Sequence, residues 1–588
     1  MIIQSLLFPD NNICSEEALY FHRKEGFICV DGYFNLFYLE KHHKYCRIDS
    51  LILELEIRGI KSIIVMHDRE EVLRVIASDT GRLSIPLPYD KYETGVLWFE
   101  AELDDKSSQG DMIGGCDNWY IKGDFEGYSE CINPVELAVN ICTYKREAYV
   151  TRNMKSLAVF MGTRAINGKL PEASGHMHVF IVDNGKSLND YDEFDKLIHI
   201  MDDDKNRLIN IILNANTGGT GGFSRGMQEA INRREELGLT HLLMMDDDAV
   251  FDPDLFVRLY GFLSTLRDEY RDITVGGALM REDYPYIQHA AGEWFTDYKV
   301  INKHPLVDMR DFDNCTADWM TGTDAEHDMY GAWWCCCYNM DAITKENMPL
   351  PIFVHHDDIQ FGMKQVDRGI VFLNGICVWH QGFELVYPGV KQYYNMRNTL
   401  ITMDMFERDR LEKTYRFWAI RRYIGMLISY RYADCEFVYR GFKDFQKGRD
   451  WLLASDPESI HKELMETYRN KCGMRPIEDI GLSSEEYAYV KSQIRNDFSE
   501  SDLREYYTPD RFRGPVSKKI TINGWFLPSK KGVKVITPLD SPWDVYRYKR
   551  VLLYEPATGN GAVMKRSMKQ LYLGFIRIVD MLVSKRVI

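Results

Sequence analysis

Apolar and polar residues change rhythm twice along this chain. In the first stretch they come in short runs. Tyr33–Leu39, Ile48–Ile57, Ser62–Met66 and Val96–Leu103 are rich in β-branched and aromatic side chains, and Leu51, Leu53, Leu55 and Ile57 recur at every second position. Period two with Gly, Pro and Asp punctuation predicts half-buried strands. Residues 1–135 therefore read as a β-sandwich, ending near Asn133-Pro134. From Val135 to about His380 the pattern alternates. Leu137–Thr143, His178–Val182, Leu208–Leu213 and His241–Met245 predict strands, and Val150–Met161 and the face Phe223, Met227, Ala230, Ile231 predict helices. That order predicts a mainly parallel sheet with its site at the carboxyl ends of the strands. After Tyr393 the chain becomes helical and more charged through about Thr467, and 470–560 shows no clear pattern. The expected domains are 1–135, 136–400 and 401–588.

The last stretch has a rhythm of its own. Met568, Leu571, Tyr572, Phe575, Ile576, Val579, Leu582 and Val583 fall on one helical stripe. Lys565, Arg566, Lys569, Arg577, Lys585 and Arg586 lie on or beside the other face. This predicts a basic amphipathic helix. Docking on its own core or on a sister subunit, and attachment to a membrane surface through 565–586, both fit that pattern.

Charge narrows the function. The 588 residues carry a net charge of -16, which argues against nucleic-acid binding, because phosphate neutralisation needs a basic face. Met1–Asn12 lacks the basic start and long apolar run of a secretory signal. No uninterrupted apolar stretch reaches the ~20 residues of a membrane span. The thirteen cysteines form no CxxC pair, and Cys335-Cys336-Cys337 sits in an apolar stretch. Free buried thiols in a reducing cytoplasm are the expectation.

Four local signals carry chemistry. Asp246-Asp247-Asp248 follows the buried run Leu242–Met245. Three adjacent carboxylates repel one another unless a cation binds or a proton is kept, and oxygen ligands suit Mg²⁺ or Mn²⁺. An acidic solvated turn is the plainer alternative. His355-His356-Asp357-Asp358 precedes Ile359, Met363 and Val366, so both aspartates sit in the first turn of a predicted helix. There a carboxylate serves as a cap or as a general base. Trp379-His380 ends the run Gly375–Val378, which offers a structural histidine or a third ligand beside the aspartates. Asn216-Thr217-Gly218-Gly219-Thr220-Gly221-Gly222 reads as a Gly-rich loop opening a helix, with Arg225 in the first turn. Backbone amides and a helix N-terminus there suit a diphosphate, although the run is neither GxGxxG nor Walker A. Trp294, Trp319, Trp333, Trp334 and Trp379 crowd the second half of the region. Core packing and a carbohydrate cleft both explain such aromatics.

Taken in order, these pieces resemble a GT-A glycosyltransferase of family 2, in the galactofuranosyltransferase group. The matching segments are Thr143–Arg146, Val182–Asn184, Asn216–Arg225, Asp246–Asp248, Gly276–Trp294, Trp333-Trp334, His356–Asp358 and Trp379-His380. Tyr33–Asn35 and Gly441–Pro457 extend the likeness beyond the α/β region. The resemblance implies a Rossmann-like GT-A domain between an N-terminal β-sandwich and a mostly helical C-terminal domain. It implies Mn²⁺ or Mg²⁺ on Asp246, Asp248 and His380. Thr143, Arg146, Asp183, Asn216, Gly218, Gly219, Arg225 and Asp247 would hold the nucleotide and its diphosphate. Asp358 would be the general base, Asp357 would orient the acceptor, and Trp333, Trp334 and His356 would line the sugar site. His356 stands where an aromatic such as Trp is expected, which leaves acceptor and linkage preference open. The implied reaction is inverting transfer from UDP-galactofuranose to an oligosaccharide or lipid-linked glycan in cell-surface polysaccharide synthesis. The implied setting is cytoplasmic, peripheral to the inner membrane face, and oligomeric. UDP-glucose or dTDP-rhamnose as donor, and a non-catalytic carbohydrate-binding assembly subunit, are the alternatives.

Overall fold

The computed structural model of the chain describes all residues except 78–79, 105–118, 163–170, 202–208, 324–328, 496–497, 509–513 and 587–588. It divides into two compact units. One comprises Met1–Trp294, Val300–Pro349 and Asp358–Gln381; the other comprises Phe295–Lys299, Leu350–Asp357 and Gly382–Ile588.

In the first unit, period-two segments pair into two antiparallel sheets. One runs in the order Ile2–Ser5, Tyr120–Tyr128, Ser50–Arg58, Thr80–Pro86. The other runs His22–Lys24, Phe27–Val30, Val96–Leu103, Ile60–His67, Glu70–Ile76. Leu51, Leu53, Leu55 and Ile57 from the first and Ile63, Val65 and Phe99 from the second share one core. The strand expected at Tyr33–Leu39 shrinks to Phe37–Tyr38. Asn35 is fully buried and its amide bridges the backbones of Leu7 and Tyr20, which turns the chain inward before any ladder forms.

The α/β part follows in chain order. Its elements are β1 (Leu137–Thr143), α1 (Glu147–Gly162), β2 (Met177–Asp183), β3 (Ile209–Leu213), α2 (Gly218–Leu237), β4 (His241–Asp246) and α3 (Asp254–Thr265). They continue with β5 (Thr274–Arg281), β6 (Cys335–Asn339), α4 (Asp357–Gly362) and β7 (Ile370–His380). Leu208, expected to begin β3, lies outside the described residues. The strands order as β3-β2-β1-β4-β6-β5, with β7 also on β5. β3, β2, β1 and β4 are mutually parallel, β6 is antiparallel to β4 and β5, and β7 runs parallel to β5.

The glycine run does a different job from the one its sequence suggests. It is not a loop before the helix: α2 begins at Gly218 itself. A Cβ on Gly222 would collide with the Cys142 sulfur, and one on Gly226 with the Asn140 amide. Glycine at these positions lets α2 lie directly on β1.

A buried ion pair locks the sandwich to the sheet. Arg258 of α3 pairs with Asp254 at 2.5 Å, both almost completely buried. The remaining guanidinium donors reach the carbonyls of Ser5, Phe34 and Asn374. Asn374 of β7 in turn donates to Tyr33 and Leu36.

In the second unit, α5 (Lys391–Phe406), α6 (Arg408–Ile428) and α7 (Tyr432–Gln446) match the helical expectation. The stretch 470–560 does not stay irregular. Arg475–Pro476, Asn560–Lys565, Tyr548–Glu555 and Lys530–Ile536 form a four-stranded sheet in that order. The C-terminal part is thus helices plus a small sheet. The final helix, α8, spans Met568–Val583.

Removing one partner of a buried pair leaves an uncompensated charge. Arg258→Met is expected to lower stability by about 3–5 kcal/mol, read as a lower urea midpoint at unchanged slope. A change under about 1 kcal/mol would show that this lock does not hold the two layers.

Candidate active site

β1 ends at Thr143, β2 at Asp183 and β4 at Asp246. Register places Thr143 opposite Asp183 and Cys142 opposite Asp246, so three strand ends meet at one sheet edge. The loop after β4 then carries Asp247 and Asp248 over this edge.

The carboxylates are compensated one by one. Asp247 is buried and accepts from the Thr143 hydroxyl at 2.7 Å and from Arg146 at 3.0 Å. The same Arg146 nitrogen lies 2.5 Å from Asp248, and His380 Nε2 lies 3.5 Å from the other Asp248 oxygen. Burial pushes Asp247 up from its ordinary value, partly offset by Arg146 and Thr143. Asp248 feels burial too, but His380 and Arg146 outweigh it and hold its carboxyl low. Asp246 is pushed well up, first by burial and then by the Asp248 charge. His380 is raised by Asp248 and Asp246 against the effect of burial.

The backbone explains why these groups meet. Val250 and Trp379 exchange two hydrogen bonds, of 2.9 and 2.7 Å, which clip the carboxylate loop to the end of β7. Asn153 of α1 donates to the carbonyls of Asp247 and Ala249, each at 3.0 Å. Arg152 donates to those of Asp248 and Ala249. Glu282, just past β5, bonds through its N–H to the His380 carbonyl, and burial raises its carboxyl. None of these three was singled out from sequence. Arg152 and Asn153 carry no local signal, since polar residues on a helix ordinarily face water. Glu282 had one, a carboxylate closing an apolar run.

Among the described residues, no group of three or more His, Cys, Asp or Glu side chains is arranged to hold a metal. Asp248 instead engages Arg146 and His380. Asp246, Asp248 and His380 nevertheless gather at one edge, and two carboxylates with an imidazole are donor types that suit a hard divalent cation.

Other expected residues lie elsewhere or serve other ends. Both carboxylate oxygens of Asp183 are taken by the N–H groups of Gly185, Ser187 and Leu188, so this side chain shapes the turn. Asn216 accepts from the Gly218 N–H, and Asn184 donates to the Gly218 carbonyl. Gly219 follows within the first turn of α2. Arg225 is two turns into α2, not in its first turn, and pairs with Glu229 at 3.0 Å. Trp333 is a core residue rather than a cleft wall: it is 3% exposed, packed on Phe223 and Phe361, with its N–H on Tyr338. Trp334 is half-buried and donates to the Gly277 carbonyl at 2.9 Å.

Asp358 is half-buried near the start of α4. Its charge bears on Tyr330, Cys336 and Tyr338. Cys336 lies on β6 opposite Met244 of β4, the strand that ends in Asp246. Asp357 and His356 belong to the second unit. There His356 is buried between the hydroxyls of Thr399 and Thr402, each 3.0 Å away, and packs edge-on to Phe295. His355 and His356 have φ of 64° and 70°. Two consecutive non-glycine residues in the left-handed region are strained, a feature that clusters at functional sites.

Glu293 is a further buried carboxyl missed from sequence. It accepts from the Tyr330 hydroxyl at 2.8 Å, and burial pushes it up to about 7 from 4.5. The folded chain thus keeps a proton that the unfolded chain has released, and stability falls as pH rises through that window, by up to about 1.4 kcal/mol per pH unit. Glu293→Gln is expected to abolish this slope and to be the more stable protein at pH above 7. Parallel stability curves for the two proteins would contradict the burial.

A cavity of about 650 Å³ is lined in part by Arg152 and Asn153, and its walls include none of Asp246, Asp247 and Asp248.

Residues 138–317 match the model for glycosyl transferase family 2. Galactofuranosyltransferase GlfT2 of Mycobacterium tuberculosis is 23% identical, over 65% of this chain and 59% of its own length. The GlfT2 of Mycolicibacterium smegmatis is 22% identical, over 64% and 57%. The chain thus spans less than two thirds of these relatives. A solved acetyl xylan esterase from Butyrivibrio proteoclasticus covers 40% of the chain at 9% identity with a TM-score of 0.12, which carries no fold argument. The sheet edge that gathers Thr143, Arg146 and Asp246–Asp248 thus lies within the segment that matches glycosyl transferase family 2, in a chain that is similar to two galactofuranosyltransferases.

Proposed function

We propose that the protein is an inverting glycosyltransferase moving galactofuranose from UDP-galactofuranose to a hydroxyl of a glycan acceptor. The observation that carries this reading is the carboxylate loop, compensated by Arg146 and His380 and clipped to the strand that ends in His380. The names of the two relatives supply the sugar. Residues 1–135 and 401–588 flank the catalytic region in this reading.

Asp246, Asp248 and His380 would hold Mn²⁺ or Mg²⁺. A bound divalent cation supplies Lewis-acid neutralisation of charge on a departing diphosphate. Arg146 adds a fixed cation at the same edge, and Thr143, Asn216 and the N–H groups of Gly218 and Gly219 offer donors to a nucleotide diphosphate. Asp358 takes the proton of the acceptor hydroxyl. The acceptor oxygen bonds to the anomeric carbon from one face while the bond to the diphosphate oxygen breaks on the other, and the configuration inverts. Stabilisation of the leaving group counts because its charge is greater in the transition state than in the bound donor.

The test is transfer from a panel of sugar nucleotides to a galactofuranose-terminated acceptor, with Mn²⁺ and with EDTA. Product from UDP-galactofuranose alone, lost in EDTA, is the expected result. Product from UDP-glucose or dTDP-rhamnose would keep the chemistry and replace the sugar. Sugar binding without UDP release would favour an assembly subunit. Asp358→Asn is expected to lower kcat by about 10²–10⁴ while UDP binding persists, and near-normal turnover would remove Asp358 from the base role.

A further inference from the structure

The cavity that Arg152 and Asn153 help to line is built from separate elements. The strand Ile2–Ser5 contributes Ser5, the strand Tyr120–Tyr128 contributes Asp124, and α1 contributes Ser156. The loop after β4 contributes Val250, Phe251 and Asp252. A volume of about 650 Å³ falls within the range of small-ligand sites, roughly 300–1,000 Å³.

The walls say what would fill it. Leu6, Ile13, Phe160 and Phe251 make them apolar, and carboxylates make them negative. Asp124 is 4% exposed, and among the described residues no cation pairs with it. Burial pushes its carboxyl up to about 6; Ser5 and Lys122 offset part of this, and the Asp254 charge adds to it. Half-buried Asp252 is likewise pushed up to about 6, by burial and then by Asp254. One Asp252 oxygen accepts from the Asp254 N–H at 2.9 Å. Asp10, on the same wall, is exposed. Nearby cations are committed elsewhere: Arg258 to Asp254, Lys155 to Glu193 at 3.1 Å, and Arg152 to the loop carbonyls. An anion is repelled by such a wall, and a neutral ligand leaves its charge unanswered. An ammonium on an apolar body pairs with the carboxylates and buries its chain.

The same wall is part of the carboxylate loop. Val250 lines the cavity and exchanges its two backbone hydrogen bonds with Trp379. Arg152 and Asn153 line it too, and hold the carbonyls of Asp247, Asp248 and Ala249. A ligand that meets these side chains best when the loop is in place favours that arrangement.

We propose that this cavity is a regulatory site for an organic ammonium ion with an apolar body, and that its occupancy steadies the carboxylate loop. Binding and steadying are both read without turnover, so they stand or fall apart from the transferase reading. The test is calorimetry of the full chain with hexylammonium, hexanol and hexanoate, probes of one length and different charge. Hexylammonium is expected to bind about tenfold or more tightly than hexanol, with hexanoate weakest. Asp124→Asn with Asp252→Asn should remove the advantage of hexylammonium over hexanol. Ser156→Phe, which fills the cavity from α1, should abolish binding of both, with thermal unfolding showing each variant folded. At about ten times its Kd, hexylammonium should slow amide exchange at Val250 by about three- to tenfold. Equal binding of hexylammonium and hexanol, undiminished binding to the Ser156→Phe protein, or no binding of any probe would overturn the site. Unchanged exchange at Val250 under saturating hexylammonium would overturn its regulatory role.

Discussion

Three consecutive carboxylates at the end of a buried strand are the constraint around which this site is arranged. Each would raise the proton affinity of the next, and water is largely excluded, so the cluster persists only where positive charge and donors are supplied. Arg146 supplies charge to two of the three and His380 to one. Thr143 supplies a hydroxyl. The loop backbone must also be fixed, since charge compensation at hydrogen-bond distance fails if the chain drifts by an ångström. Asn153, Arg152 and the Val250–Trp379 bridge fix it from two sides. Asp246 is pushed up first by its burial and then by the Asp248 charge, and His380 and Arg146 offset only part of that.

The same edge depends on close packing behind it. α2 reaches β1 because Gly222 and Gly226 leave room for Cys142 and Asn140, and Asn140 answers by donating to the Phe223 carbonyl at 2.9 Å. The helix N-terminus is thereby held near the ends of β1 and β2, where Asn184 ties it down. Farther back, Arg258 spends its donors on carbonyls from the sandwich and from β7. β7 is the strand that ends in His380, so the N-terminal sheets contribute to the stiffness of the site without reaching it.

What could be read from sequence follows from the physics of each signal. β1, Leu137–Thr143, and the strand Val96–Leu103 were legible residue by residue, because apolar runs bounded by polar residues define strands well. That Asp246, Asp248 and His380 each end or follow an apolar run was legible in the same way. Their meeting at one edge was not, since strand ends far apart in sequence carry no mark of which lie together, and only the resemblance implied it. Arg152 and Asn153 were not legible either, because a polar residue on a helix looks alike whether it meets water or a carbonyl. Trp333 misled in the opposite direction, since aromatic density gives apolar area and not the side on which it is spent. The small sheet of 475–565 was hidden by its composition. Lys530-Lys531-Gly532 opens one strand and Arg475-Pro476 is another, so β-propensity and alternation are both diluted.

α8 shows where periodicity runs out as a guide. A 3.6-residue pattern establishes that a helix has two faces, and ordinarily the apolar one turns inward because burial of apolar area outweighs everything else. Here the neighbours decide otherwise, and Tyr572, Phe575, Ile576, Val579, Leu582 and Val583 stay exposed. α7 offers Glu436, Tyr439 and Lys443, and α6 offers Arg416, all of which need partners. Arg577, Asp580 and the Ser584 carbonyl satisfy them, and Gly574 brings the backbones close enough for that to happen. Turning α8 by half a revolution would break these contacts and set its apolar face against charged groups on α6 and α7. The orientation is therefore set by the polar groups already present on α6 and α7, and the outward apolar face is its direct consequence.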